Sequence, residues 1–418
     1  MRILFVTPHP PSRIRVRGYG FLTYLQRQHE VTIITQCISE RERADVEILR
    51  QKGYKVVPVE EDKKQKILRT GMALFSRVPL QVAYAQSERF AQAIQQLCAE
   101  ETFDVVHVEH LRGIASLQEI SRLPPIVWDA VDCISLLFEH TMKSGSSLPI
   151  RAMAAVDCKR TQHYEARLLS RFKHLVITSE RDREALLELY RAYQQRGSEP
   201  EPNISVVPNG VDLEYFYPQQ EKRRQGNLVF LGKMSYHANI AAVLYLYQQI
   251  MPLIWQQRPK TTLTIVGSNP PRSIRRLSHD ARVEITGYVD DIRPYMGRAE
   301  IMVSPMVYSV GIQNKVLEAM ALGTPVVAAA RVAAALHAQP EQDLLVAQSA
   351  QEFAEKTIHL MDNTELRASL SQHGRQYVEQ THDWAAIADH LVDVYQQALA
   401  ARTAKAHYVN PVGARSAP

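Results

Sequence analysis

The chain has 418 residues, 45% of them hydrophobic and 22% charged, with a formal net charge of +5. It is too long for one average domain and ordinary in composition for a globular enzyme, so two domains are expected. So small a positive excess does not argue for nucleic acid. The four cysteines, Cys37, Cys98, Cys133 and Cys158, form no C-x-x-C pair that would suggest zinc or a disulfide framework. No window approaches the roughly 20 apolar residues that span a bilayer. The N-terminal run M-R-I-L-F-V-T-P is too short for a signal peptide, and a reducing cytoplasm is the expected compartment.

Arg2–Thr7 reads as a buried strand ended by Pro8, Pro10 and Pro11. A loop carrying Arg13, Arg15, Arg17, Gly18 and Gly20 leads into a predicted helix over Phe21–Gln28 and a strand over Glu30–Thr35. Strand, helix and strand at this spacing begin a doubly wound parallel sheet. The loop lacks the G-x-G-x-x-G fingerprint, so a bound NAD is not expected. The three alternating arginines either face an anionic ligand or are solvated loop residues. Helix Arg41–Gln51 and strand Lys55–Pro58 continue the alternation.

The segment from Lys63 to Arg77 holds five cations and no acid, with Ile67, Leu68, Met72, Leu74 and Phe75 interleaved. Such a basic amphipathic segment suits an anionic membrane surface. The alternative is a surface helix packing its apolar side on its own domain. Helix Ser87–Glu100 follows, and then two strands, Asp104–His110 and Pro125–Asp132, both end in polar residues. Ligands of open α/β sheets bind beyond the carboxyl ends of strands. His107, Glu109, His110, Asp129 and Asp132 are therefore candidates for one wall of a cleft, although each alone is more often a capping or structural residue. Helix Arg151–Ser170, strand His174–Thr178 and a helix from Ser179 complete the first half. The stretch from Gln194 to Pro202 reads as loop, and Lys222–Gly226 as polar linker.

The second half repeats the plan. A strand from Asn227 ends at Gly232-Lys233 and is followed by a helix to Gln257. Strand Thr261–Val266 ends at Gly267, and strand Val283–Thr286 at Gly287. Helix Ile292–Met296 leads to strand Glu300–Val303. Strands ending in glycine or serine clear room for a flat ligand or a phosphate. The stretch from Ser304 to Ala329 then reads as strand end, loop, helix, turn and strand, with Gly311 in the loop and Gly323 as the helix stop. A glycine loop entering a helix N-terminus suits an anion. Glu318, one turn inside, can accept hydrogen bonds from a sugar diol. A plain β-α-β crossover is the alternative. Helices Glu352–Met361, Thr364–Glu379 and Trp384–Ala400 follow, and Arg402–Pro418 reads as a tail without periodicity.

Four segments in this order resemble the retaining glycosyltransferases of the GT-B class, family 4: V-V-P-N-G-V-D-L-E-Y-F, F-L-G-K-M-S-Y-H-A-N, I-T-G-Y-V-D-D-I and K-V-L-E-A-M-A-L-G-T-P-V-V. Within that family the chain is most similar to exopolysaccharide-associated sugar transferases, through V-D-C-I-S-L-L and D-V-V-H-V-E-H-L-R. The resemblance implies an α/β fold of two Rossmann-like domains facing a cleft, with a C-terminal helix crossing back to the first. The corresponding spans are 1–205 for the acceptor-side domain, 206–226 for a linker and 227–383 for the donor domain. The returning helix would cover 384–402, and 403–418 would form a disordered tail.

The resemblance also implies roles. Glu318 would hold the donor ribose, Gly232 and Lys233 its diphosphate, and Gly287 to Val289 the base. Gly267, Gly311, Asn314 and Leu317 complete the donor set, with Lys315 a second cation for phosphate. Lys233, Glu318, Asp132 and Glu109 are the implied catalytic residues. Arg13, Arg15, Arg17, His107, Glu109, His110, Asp129 and Asp132 are the acceptor-side candidates. No cofactor or metal is expected, the nucleotide-sugar being a substrate. The implied partners are that donor, a glycan or lipid-linked acceptor and, through Lys63 to Arg77, an anionic membrane on its cytoplasmic face. The chain departs from the family where Val310 replaces a glutamate, Val131 a histidine and Ala238 a lysine. These departures leave open a non-catalytic nucleotide-sugar-binding subunit of a polysaccharide assembly complex. A sugar-nucleotide 2-epimerase shares the fold and is a third reading.

Overall fold

The computed structural model describes residues 1–117, 120, 123–143, 148–193, 201–218, 223–308 and 312–408. Contacts divide the chain into two units. Unit 1 comprises Met1–Ser135, Val156–Pro208 and the C-terminal residues from Ala385, and unit 2 comprises Leu136–Ala155 and Asn209–Trp384. Each is built on a parallel sheet, so the fold is two Rossmann-like α/β domains.

The sheet of unit 1 has seven strands: β1 (Arg2–Thr7), β2 (Glu30–Cys37), β3 (Lys55–Glu60), β4 (Val105–Glu109), β5 (Ile126–Val131), β6 (His174–Ile177) and β7 (Asn203–Val206). Their order is β3-β2-β1-β4-β5-β6-β7. Ile3, Leu4, Phe5 and Val6 of β1 are wholly buried, as a parallel strand covered on both faces requires. The chain winds outward from β1 to β3, then returns to lay β4 beside β1 with Phe5 opposite His107. That reversal is a topological switch point, where crevices form at the carboxyl edge.

The sheet of unit 2 contains β8 (Arg224–Leu231), β9 (Thr262–Val266), β10 (Val283–Gly287), β11 (Ala299–Ser304), β12 (Val326–Ala329) and β13 (Leu345–Ala347). Their order, β10-β9-β8-β11-β12-β13, places the switch point between β8 and β11. One core of buried side chains covers this sheet, including Phe230, Met302, Val316 and Phe353.

Several boundaries differ from the sequence reading. The first helix begins at Val16 rather than Phe21. Gly18 lies inside it, where a Cβ would come 3.0 Å from the Glu109 carboxylate. Arg224, Gln225 and Gly226 are not linker: they extend β8, and Arg224 lies in register with Ala299. The last helix continues from Trp384 to Tyr408, past the expected end at 402. The added T-A-K-A-H-Y contains the good helix formers Ala404, Lys405 and Ala406. The helix after Gly232 carries a π turn over Leu246–Ile250. The short helices Leu80–Ala85, Ile134–Lys143 and Ala330–Leu336, and strands β7 and β13, were not anticipated. They are too short for periodicity to show. Residues 194–200 of the expected loop and 409–418 of the expected tail lie outside the described residues.

Candidate functional site

In unit 2 the candidate residues gather at the carboxyl edge of β8, β9 and β11. The ladder continues past the strand ends: Gly232 N–H donates to the Val266 carbonyl, Met234 N–H to that of Ser268 and Gly267 N–H to that of Gly287. This close passage explains two glycines without a ligand. A Cβ on Gly267 would sit 1.8 Å from the Gly232 carbonyl oxygen, and one on Gly232 would sit 2.6 Å from the Asn239 side chain. Gly287 has open space where its Cβ would be, and its φ of +71° is what favours glycine.

The helix Asn314–Ala321 supplies Lys315 and Glu318 one turn apart. Lys315 is turned inward. Its ammonium donates to Asn239 Oδ1 at 2.7 Å and lies 4.4 Å from the Phe230 ring centroid. Asn239 in turn donates to the Lys233 carbonyl at 3.1 Å, so Lys315 is tied to the turn after β8. Burial pushes Lys315 down to about 7, against the pull of Glu318. Burial likewise pushes Glu318 up to about 7, with Lys315 opposing. Glu318 is 8% exposed, and its carboxylate has no hydrogen-bond partner among the described residues. A desolvated, unpaired acceptor of this kind suits a ligand's donors.

Lys233 is exposed at the same turn. Asn314 Oδ1 accepts from Asn209 Nδ2 at 3.0 Å, which brings the N-G-V-D segment to the start of the Glu318 helix. His382 fixes that segment from the other side, through a 2.7 Å bond between its Nδ1 and the Asn209 carbonyl. Leu317 is core rather than ligand-facing, with no exposure at all, because its helical position turns it to the sheet. Val310 and Gly311 lie outside the described residues. Val289 borders a cavity of about 530 Å³ with Asn227, Thr264, Glu284 and Tyr295. The first three of these sit within strands, so this cavity opens on the sheet face rather than at the strand ends. Sequence reasoning missed Asn209, Asn239 and the His237–Tyr308 pair, whose Nδ1 and hydroxyl lie 2.8 Å apart. The only signal for Asn209, His237 and Asn239 was membership of two of the quoted motifs, and Tyr308 had none.

In unit 1 the strand-end residues divide into buried network and accessible edge. Arg17 is not solvated: its Nε donates to Asp129 Oδ2 at 2.6 Å, and its Nη1 to the Val207 carbonyl at 2.9 Å. His107 is wholly buried, stacked on Phe5 with ring centroids 4.2 Å apart, and its Nδ1 lies 2.9 Å from the Tyr395 hydroxyl. Burial and the Arg17 charge push its pKa well down, so the ring is neutral. Both His107 and Asp129 are therefore interior groups, because β4 and β5 are central strands. Arg15 donates to Glu42 Oε1 at 2.8 Å, while Arg13 is exposed.

Glu109 is pushed up to about 7 by burial and by the Asp129 charge. Asp132 is also pushed up, by burial and by Asp182. Val131, between the two aspartates, has φ +66°, an outlier for a β-branched residue, and the β5–β6 register shifts there. His110, following β4, has φ +67°. Strain at two adjacent strand ends marks the carboxyl edge of this sheet as a built feature.

Two parallel-sheet Rossmann-like domains, each with a switch point, form the fold of the GT-B glycosyltransferases. Residues 225–363 match the family model of Glycosyl transferases group 1. Comparison with curated proteins finds no match. Among solved structures, the chain is similar to a sucrose-phosphate synthase from Thermosynechococcus elongatus, at 17% identity and TM-score 0.70 over 96% of this chain and 100% of that one. It is also similar to a glycosyltransferase from Rickettsia africae, at 14% identity and TM-score 0.64 over 95% and 98%. HepE of Anabaena in complex with UDP matches at 14% identity and TM-score 0.65 over 95% and 100%.

Proposed function

We propose that the protein transfers a sugar from a nucleotide-sugar donor to a glycan or lipid-linked acceptor, with retention at the anomeric carbon, in exopolysaccharide or other cell-surface glycan synthesis. The observation that carries the reading is Glu318: a buried carboxylate without a hydrogen-bond partner among the described residues, one turn from a buried lysine, at the switch point of a group 1 domain. Glu318 accepts from the ribose hydroxyls. Lys315 and the exposed Lys233 meet the diphosphate and stabilise the charge that develops as the nucleoside diphosphate leaves. On the acceptor side, Glu109 and Asp132 are held near neutrality, where a carboxyl group can take or give a proton. Solved complexes of HepE with UDP and with UDP-glucose support this class of donor.

The test is incubation with UDP-, GDP- and dTDP-sugars plus glycan and lipid-linked acceptors. Release of nucleoside diphosphate that depends on acceptor, with a product of unchanged anomeric configuration, is expected. Nucleotide binding without turnover would favour a second reading, a non-catalytic nucleotide-sugar-binding subunit. That reading is motivated by Ala238, which is fully buried where the family carries a lysine.

The reading includes peripheral docking on an anionic membrane. The helix Lys63–Ala73 packs through its polar side: Lys66 is 2% exposed and donates to Gln36. Its apolar side points outward, with Ile67, Leu68 and Met72 exposed, and Phe75 just beyond it 95% exposed. The alternative in which the apolar side packs on its own domain does not describe this helix. Lys63, Lys64 and Arg77 are exposed around that stripe. Lys66 is interior and does not belong to the docking surface. Among the described residues, no helix is long and apolar enough to cross a membrane.

A further inference from the structure

At the carboxyl edge of β1 and β4 in unit 1, one basic side chain has no acid to balance it. Arg112 follows β4 in the run H-V-E-H-L-R. Its Nε is shut off from solvent without an acceptor, and its guanidinium makes no hydrogen bond to any described residue. Burial pushes its pKa down, and the groups acting on it are Tyr84 and the like charge of Arg15, with no carboxylate among them. The nearby acids are committed elsewhere. Glu42 accepts from Arg15, from the Ile38 N–H and at 3.0 Å from His9. Glu61 is bonded by Ser87 and faces Arg69 at 3.9 Å.

Two neighbours complete the arrangement. The Arg112 backbone N–H donates to His110 Nδ1 at 3.2 Å. Burial and the Arg112 charge push His110 down to about 3, so the ring is neutral with its proton on Nε2, an added donor. Lys66, held by Gln36 with its ammonium 5.2 Å from the Tyr84 ring, adds positive potential, and Arg112 acts on it electrostatically. A partly desolvated guanidinium without an acceptor is costly, and the cost is relieved when an anion arrives. A guanidinium without a carboxylate, with the like charges of Arg15 and Lys66 acting on it, favours a dianion over a single carboxylate.

We propose that Arg112, flanked by His110, binds a phosphoryl group carried by the sugar acceptor. The assignment to the acceptor rests on the glycosyltransferase reading. The anion site itself rests on Arg112 and its surroundings alone.

The test is calorimetric titration of inorganic diphosphate into the full chain, already saturated with whichever of UDP, GDP or dTDP binds best. The parent takes up one further diphosphate. Arg112→Gln weakens that uptake at least tenfold and leaves nucleotide affinity unchanged. Removing an uncompensated charge leaves the thermal midpoint of Arg112→Gln equal or higher, and diphosphate raises the parent's midpoint but not the variant's. Glucose 6-phosphate and micellar farnesyl diphosphate are then tried as competitors, and displacement by either supports the site and names a soluble or lipid source. Equal diphosphate binding by parent and variant, or displacement by neither competitor, overturns the proposal. If none of the three nucleotides binds, the donor reading fails, while the Arg112 comparison in nucleotide-free protein still decides the anion site.

Discussion

Lys315 and Glu318 make nucleotide affinity depend on pH in a way that can be worked through. In the free protein burial pushes Lys315 down and Glu318 up, each to about 7. To meet a diphosphate Lys315 must be an ammonium, and to accept from a ribose diol Glu318 must be a carboxylate. At pH 8 only about one lysine in ten carries its proton, and recovering that proton costs about 1.4 kcal/mol, a tenfold loss of affinity. At pH 6 about one carboxyl in ten is ionised, and the same arithmetic applies. Affinity for UDP therefore peaks near pH 7, is about threefold lower one unit to either side and falls about tenfold per unit beyond that, the two limbs belonging to the pair rather than to either residue. Calorimetry in buffers of different ionisation enthalpy measures this directly, with proton uptake on binding above pH 7. Lys315→Met abolishes the alkaline limb. Glu318→Gln flattens the acid limb down to the part set by the nucleotide's own terminal phosphate, which takes up a proton near pH 6. Affinity that is flat from pH 6 to 9, or an alkaline limb retained in Lys315→Met, refutes the reasoning.

Three further outcomes follow from single sites. Gly267→Ala drives a Cβ to within 1.8 Å of a backbone oxygen, so it should destabilise unit 2 by several kcal/mol or prevent its folding; a denaturation midpoint near that of the parent would show that the crossing relaxes. Arg17→Met strands the buried Asp129 charge and should cost roughly 3–5 kcal/mol. Adding Asp129→Leu should recover part of that loss, and additive losses in urea melts would count against a coupled pair. Phe75→Ser with Leu68→Ser should lower binding to phosphatidylglycerol vesicles at every salt concentration. Lys63→Gln with Lys64→Gln should lower it only at low salt, by about 1 kcal/mol per charge; a parent protein that ignores such vesicles removes the docking surface.

The fold was legible because its signals are local. The buried runs R-I-L-F-V-T and L-V-F-L, alternating with helical spacing, announce two parallel sheets, and most of the longer elements, the helix Ile134–Lys143 apart, fall near where their periodicity puts them. What was not legible depends on contacts between distant residues. Nothing near Arg17 in sequence says that it pairs with Asp129, or that Val207 takes its second donor, so the sequence offered only a ligand-facing and a solvated reading. His107 reads as a strand-end ligand until Phe5 and Tyr395 close over it. Lys66 was a sharper miss, since helical spacing already sets it opposite Leu68 and Met72. The glycines at 232 and 267 illustrate the reverse error. They looked like space cleared for a ligand, and part of that space is taken by each other's backbone and by Asn239. Arg112 carried no signal of its own, because an unpaired guanidinium is visible only when the acids around it are seen to be committed elsewhere.

The central claim is that Glu318 holds the nucleotide of a sugar donor. Its most direct test is titration of UDP, GDP and dTDP into the parent protein and into Glu318→Ala at pH 7. The account predicts that at least one binds the parent at a single site, and that the variant loses roughly 1.5–3 kcal/mol of that affinity, the worth of a charged hydrogen bond. No binding by the parent, or equal binding by both, would contradict it.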